Sequence, residues 1–143
     1  MTTIERATSS AGIKLPDINE LLAQLHFDRQ DPPAAQSDLD TIASDKNTIF
    51  VVARDGSKVV GMATAYIVAK FGKKIGYVED VVVNETYRGQ GIGTKLMERI
   101  INEAKEANIT YLYLTSRAGR TAANAMYEKL GFEKRDTNNY RIK

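Results

Sequence analysis

Apolar positions along the 143-residue chain change period several times, and each change marks an element. Ile4, set among polar neighbours in TIERAT (3–8), reads as a short first strand. Ile18, Leu21, Leu22 and Leu25 recur at helical spacing, and Pro16 or Asp17 suits the opening of that helix. Asp31-Pro-Pro33 breaks the pattern, and Pro33 fits the first turn of a second helix through Ala35, Leu39 and Ile42. TIFVVAR (48–54) and a run over 58–69 flank Asp55-Gly56, which predicts a hairpin. Gly72-Lys73-Lys74 then turns into a third β run over 75–83, rich in β-branched and aromatic residues. Ile92, Leu96, Met97, Ile100, Ile101 and Ala104 define one face of a helix over 91–107. TYLYLT (110–115) is a further strand, and a helix over about 120–130 ends at Gly131, the expected left-handed cap, with Phe132 behind it. Two short strands at 132–136 and 139–142 close the chain. The order β-α-α-β-β-β-α-β-α-β-β predicts an α/β fold of α+β character, a mixed sheet covered by helices, in one domain over 1–143.

Composition narrows the functional classes. Hydrophobic residues at 43% and charged residues at 27% fit a globular protein with a proper core. No apolar run approaches the roughly twenty residues of a membrane span, and MTTIERATSS lacks the basic and apolar regions of a signal peptide, so a cytoplasmic location is expected. The absence of cysteine excludes a disulfide framework, a thiolate zinc site and a thiol nucleophile. His26, the one histidine, lies on a predicted helix remote from any serine signature, which argues against a catalytic triad. No ligand cluster points to a metal. The net charge of +2 is too small for a nucleic-acid binder. Charge is unevenly spread, however: residues 14–47 hold Lys14, Arg29 and Lys46 against Asp17, Glu20, Asp28, Asp31, Asp38, Asp40 and Asp45. That segment is a solvated surface or an acidic side for a cationic substrate, opposite a basic side for an anionic cofactor.

The chemistry concentrates where the 75–83 strand hands over to the 91–107 helix, in YVEDVVVNETYRGQGIG (77–93). Arg88-Gly89-Gln90-Gly91-Ile92-Gly93-Thr94 lies at a helix N-terminus, where bare backbone N–H groups and the positive end of the helix dipole meet. Glycines in alternation remove the Cβ atoms that would keep a ligand away. The run is G-x-G-x-G, not the G-x-G-x-x-G of a dinucleotide fingerprint, and Gly93-Thr94-Lys95 does not close a P-loop. An anion site remains, beside the plainer reading of a glycine turn that links two core elements.

These residues carry a family resemblance. Arg88-Gly-Gln-Gly91-Ile-Gly93 fits the R/Q-x-x-G-x-G/A signature of the GNAT superfamily of N-acetyltransferases, and the element order and the late AMYEKLGF segment are similar to it too. The stretch 77–93 resembles the matching stretch of spermidine/spermine and glucosamine-6-phosphate N-acetyltransferases. The likeness is strong over 48–132 and rests on pattern alone in the N-terminal helices. It implies acetyl-CoA as co-substrate, with its pyrophosphate on the backbone from Arg88 through Thr94. The pantetheine arm would run as an added strand along Val81, Val82 and Val83. A bulge in that strand would splay it from 110–115 and open a slot. Asn124, one turn before Tyr127, shares a face that could look into the slot. Many relatives carry an asparagine seven residues before the tyrosine; here that place is Arg120, which could instead meet a phosphate.

Within that resemblance, transfer of an acetyl group to an amine sets residue roles. The ammonium, with a pKa of about 10, must lose a proton, and Glu79 is the candidate base, directly or through water. The alternative is a strand-end carboxylate in water or a salt bridge. Asp80 faces the other side of an unbulged strand and is a candidate substrate anchor if a bulge changes its facing. The backbone N–H of Val81 suits the developing oxyanion. Tyr127 matches the family's usual acid, and its plainer role is a core tyrosine on the Ala123–Met126–Leu130 face. Without cysteine, direct transfer in a ternary complex is the expected route. The expected partners are acetyl-CoA and an amine acceptor, small molecule or protein, with no nucleic acid and no membrane. A homodimer is compatible with such a fold. A non-catalytic acyl-CoA-binding or sensor module is the competing class.

Overall fold

The computed structural model describes residues 1–27 and 31–143; Asp28 and Arg29 of the acidic segment lie outside the described residues. Strand β1 (Thr2–Ala7) is followed by helices α1 (Leu15–Leu25) and α2 (Gln36–Ser44), strands β2 (Thr48–Asp55), β3 (Lys58–Lys70) and β4 (Lys73–Val83), and helix α3 (Ile92–Glu106). Strand β5 (Tyr111–Tyr113) and helix α4 (Thr121–Lys129) complete the set. The sheet runs in sequence order, β1-β2-β3-β4-β5. The first four strands are antiparallel, and β5 joins β4 in parallel.

Strand alternation divides the core in two. On one face Val51, Val60, Ala63 and Val78 pack with Leu96, Met97 and Ile100 of α3. On the other, Phe50, Val52, Val59 and Met62 pack with Ile18 and Leu21 of α1 and Leu39 of α2. The ends of α1 are tied to the sheet by polar contacts: Asp17 Oδ2 accepts from Val59 N at 3.1 Å, and Gln24 Oε1 accepts from Glu85 N at 2.9 Å. Buried Asn84 donates to Glu20 Oε1 at 3.0 Å. On the α3 side, Glu103 accepts from Arg6 of β1 at 3.0 Å and from Arg99 at 3.0 Å. Burial alone would raise the Glu103 pKa, but the two guanidiniums outweigh it and hold the carboxyl below its ordinary value of 4.5.

Three expectations are corrected. The second helix begins at Gln36, not at Pro33. Asn19 of α1 grips Ala34 from both sides (Ala34 N to Asn19 Oδ1 at 2.7 Å, Asn19 Nδ2 to Ala34 O at 3.1 Å), which keeps that residue in a loop. The helix starts where Asp38 can accept from Ala35 N at 2.7 Å. Strand β5 spans three residues rather than 110–115. The closing strands at 132–136 and 139–142 do not form. Phe132 packs edge-on against Tyr127, with ring centroids 6.0 Å apart, but residues 133–139 offer no apolar face for a strand to bury. Tyr140 and Ile142 are consequently 89% and 96% exposed.

The Glu103 pair makes a pH-dependent prediction. A lowered folded-state pKa stabilises the protein fully above about pH 4.5, and that contribution is lost as pH falls through the folded value. Glu103→Gln is expected to lower the unfolding free energy by about 1–3 kcal/mol at pH 7, the range of hydrogen bonds to charged groups. In urea titrations the gap to wild type should close at pH 3; a gap of equal size at both pH values would place the effect elsewhere.

Candidate active site at the splayed edge of β4

Strand β4 carries one residue more than its partner requires. Met62 pairs with Val82 and Thr64 with Glu79, so one residue of β3, Ala63, stands opposite two of β4, Asp80 and Val81. The extra residue is Asp80, whose φ of 52° lies in the left-handed region that a non-glycine residue seldom adopts. The bulge resets the facing of everything after it. Val78 and Val81, three apart, both join the α3-side cluster, whereas Val82 joins the α1–α2 side. Glu79 lies opposite Thr64, and Thr64 and Asp80 both line a pocket beneath α1 and α2. The two carboxylates therefore share a face, which alternation in a regular strand forbids.

The other edge of β4 is free through the same stretch. Pairing with β5 covers only Ile75, Gly76 and Tyr77, opposite Tyr111, Leu112 and Tyr113. From Val78 to Val83 the β5-side edge of β4 has no strand partner among the described residues. Val83 differs from its neighbours because its carbonyl accepts from Arg88 Nε at 3.1 Å.

The glycine loop closes the upper end of this gap. A short 3₁₀ turn (Glu85–Tyr87) follows β4, held by Asn84 Oδ1 accepting from Thr86 N at 3.1 Å and by Tyr87 OH donating to Asp55 Oδ2 at 2.6 Å. Gly91 then caps α3 at φ 78°, a conformation glycine adopts without a Cβ penalty. A Cβ built on Gly89 or Gly91 meets nothing within 4 Å, so the loop is open on its outer side. The first helical bond runs from Lys95 N to Gly91 O at 3.1 Å, which leaves the amides of Ile92, Gly93 and Thr94 without a partner inside the helix. Arg88, Gly89, Gln90 and Gly91 are exposed, while the Ile92 side chain is buried in the core and offers only its backbone.

Tyr127 of α4 lies in the α3-side cluster with Val81 and Ile92, at 6% exposure. Burial pushes its phenol above the ordinary value of 10.0, partly countered by the nearby Arg120 guanidinium, which hydrogen-bonds it. Arg120, at the start of α4, is thus turned to the tyrosine. Asn124 Nδ2 donates to the carbonyls of Arg117 at 3.0 Å and Ala118 at 3.4 Å, bracing the loop before α4.

Two groups near the carboxylates escaped sequence reasoning. His26, at the end of α1, brings Nε2 to 3.6 Å from Asp80 Oδ1. Tyr66 stands half-buried beside Thr64, its phenol pKa raised by burial and by the charges of Asp80 and Glu79, and eased by a hydrogen bond to Thr64. Alternation along β3 placed Tyr66 on the Thr64 face, but nothing in the sequence set the end of α1 against β4. The pocket between them has a volume of about 60 Å³. Its walls are Ile18, Leu22, Leu39, Ile42, Phe50 and Met62; Thr64, Asp38 and Asp80 supply its polar groups. Among the described residues, no cluster of three or more histidine, cysteine or carboxylate groups could hold a metal, and no helix is long and apolar enough to cross a membrane.

Residues 15–132 match the acetyltransferase (GNAT) family. An IAA acetyltransferase of Azospirillum brasilense is 37% identical over 98 residues, covering 68% of this chain and 62% of that protein. The chain thus spans less than two thirds of that relative's length. A glucosamine 6-phosphate N-acetyltransferase of Trypanosoma brucei brucei is 29% identical over 124 residues, covering 81% of this chain and 82% of its own. Among solved structures, a Trypanosoma brucei acetyltransferase superposes with a TM-score of 0.79 at 26% identity, covering 100% of this chain and 99% of that one.

The positive φ at Asp80 predicts an unusual mutational order. Asp80→Gly should unfold within about 1 kcal/mol of wild type, since glycine adopts this backbone freely, whereas Asp80→Val should lose about 1–3 kcal/mol. Urea denaturation midpoints of the two variants check this; valine above glycine would mean that β4 is not bulged in solution.

Proposed function

This chain belongs to the acetyltransferase (GNAT) family, and we propose that it moves an acetyl group from acetyl-CoA to a primary amine by direct attack in a ternary complex. The observation that carries this reading is the unpaired edge of β4 leading into the open glycine loop. An extended thioester arm needs backbone to pair with, and its pyrophosphate needs unpartnered amides; the two lie end to end here. In this reading Arg88, Gly89, Gln90, Gly91, Ile92, Gly93 and Thr94 hold the pyrophosphate, and the open surface at Gly89 and Gly91 admits it. The edge Val81–Val83 takes the arm, falling first to Val81 because Arg88 already occupies the Val83 carbonyl. Asn124 fixes the 117–118 carbonyls through Nδ2 and takes part in the cofactor site from the face it shares with Tyr127.

The roles of the side chains follow from the two faces of β4. Glu79 takes a proton from the ammonium on the α1–α2 face, directly or through water, and frees the nitrogen lone pair. As the nitrogen bonds to the carbonyl carbon, the amide of Val81 donates to the oxygen that gains charge. When the carbon–sulfur bond breaks, Tyr127 gives its proton to the departing sulfur from the α3–α4 face. The phenol is protonated at neutral pH and so has a proton to give, although its raised pKa makes it a weaker donor than an exposed tyrosine. The absence of any membrane-spanning helix among the described residues fits a cytoplasmic enzyme.

The test is acetyl-CoA-dependent thiol release across a panel of amines, for wild type, Tyr127→Phe and Glu79→Gln. The protein has no cysteine and so no thiol background. Wild type should release thiol only with an amine present, and kcat should fall about a hundredfold in Tyr127→Phe with little change in the acetyl-CoA KM. Unchanged kcat in that variant would remove Tyr127 from the acid role. Bound acetyl-CoA with no release on any amine would favour a non-catalytic binding module.

A further inference from the structure

We infer that the acceptor carries an anionic group, a carboxylate or a phosphate, at the end away from its amine. Its body lies on an open row of tyrosines beside the carboxylates of β4, and its anion meets Arg135. The inference rests on the acetyl-transfer reading and names the substrate class of the same site.

Strand register places the row. Tyr66 of β3 pairs with Tyr77 of β4, and Tyr77 with Tyr113 of β5, so the three side chains share one face of the sheet. It is the face of Thr64 and Glu79, each two residues from a tyrosine along its own strand, before the bulge. Leu112 packs on the α3 side, so Tyr111 and Tyr113 on either side of it point the other way. The ring centroids of Tyr77 and Tyr113 are 5.7 Å apart, and those of Tyr111 and Tyr113 are 6.0 Å apart. Helices α1 and α2 leave this part of the face open: Tyr77 is 44% and Tyr111 52% exposed. The pocket beneath the helices, at about 60 Å³, takes only a few water-sized groups, so the bulk of an acceptor lies outside it, and the tyrosine row is the open surface that adjoins Glu79.

The far end of the row is cationic. The Arg135 guanidinium lies 5.2 Å from the centre of the Tyr113 ring, and Lys73 Nζ lies 5.3 Å from that of Tyr111. Among the described residues neither side chain has an ion-pair partner. Both charges therefore rest on aromatic faces, already placed for an incoming anion. The near end is set by the chemistry, since the amine must reach a carbonyl carbon at the Val81 edge, beside Glu79 and Asp80. Two residues along β4 at about 3.3 Å each and one strand spacing of about 4.8 Å separate Glu79 from Tyr113. With Arg135 beyond that ring, the two ends of the row are roughly 8–13 Å apart. A ligand lying along it has the length of two or three extended residues, at about 3.3–3.6 Å each.

Two matched pairs of ligands test this: alanylphenylalanine against its C-terminal amide, and glucosamine 6-phosphate against glucosamine. Each is titrated calorimetrically into the protein with CoA present, which cannot transfer an acetyl group, and is then assayed for thiol release with acetyl-CoA. In at least one pair the anionic member should bind about three- to tenfold more tightly, the upper range for an exposed arginine–anion pair. The pair that shows it tells a carboxylate from a phosphate. Arg135→Gln should remove that difference and leave the affinity for CoA and for the member lacking the anion unchanged. Tyr77→Ala should weaken both members about two- to tenfold, the range of an aromatic contact. Unfolding midpoints confirm that both variants fold. No preference for the anion in either pair, a preference that survives Arg135→Gln, or indifference to Tyr77→Ala would overturn the inference. Thiol release that favours the member lacking the anion in both pairs would overturn it while sparing acetyl transfer. Anion-dependent binding as expected, with no thiol release from any of the four, would uphold the row as a ligand site and sink the acetyl-transfer reading.

Discussion

One extra residue in β4 governs the geometry of the whole site. An antiparallel ladder fixes which face each side chain takes, and a single inserted residue reverses that choice for everything beyond it. Here the insertion at Asp80 returns Val81 to the α3 side and leaves Glu79 and Asp80 together on the α1–α2 side. Pairing of β4 with β5 ends at Tyr77, three residues earlier, so the gathered carboxylates and the unpaired edge lie on one stretch of strand. The cost is a non-glycine residue at φ 52°, a conformation held between Val78 and Val81 in one half of the core and Val82 in the other.

The two sides of that edge are built by different means. On the α3 side the groups left open are main-chain amides, positioned by a left-handed glycine and a buried isoleucine, Gly91 and Ile92. Such a site depends little on side-chain identity. On the α1–α2 side the polar groups of the pocket are side chains, and the helices that carry them are held by contacts distant in sequence: Asn19 to Ala34, Asn84 to Glu20, Gln24 to Glu85 and Asp17 to Val59.

The secondary structure was largely readable because it follows from local pattern. Hydrophobic spacing located α1, β2, β3, β4, α3 and α4 to within a few residues, and the Gly131 cap is found at φ 100°. Where pattern misled, a long-range contact or its absence decided. The Asn19–Ala34 clasp delayed α2, and the terminal strands failed for want of an apolar face.

The sequence by itself determined the handover from strand to glycine turn to helix, because alternation, β-branching and alternating glycines are encoded within some twenty neighbouring residues. Only the tertiary structure decided where the carboxylates face, that His26 approaches Asp80, and that α1 and α2 enclose an apolar pocket over them. A bulge is specified by the packing of both sheet faces at once, and a pocket by side chains from five elements. Neither leaves a periodic mark on the segment that carries it.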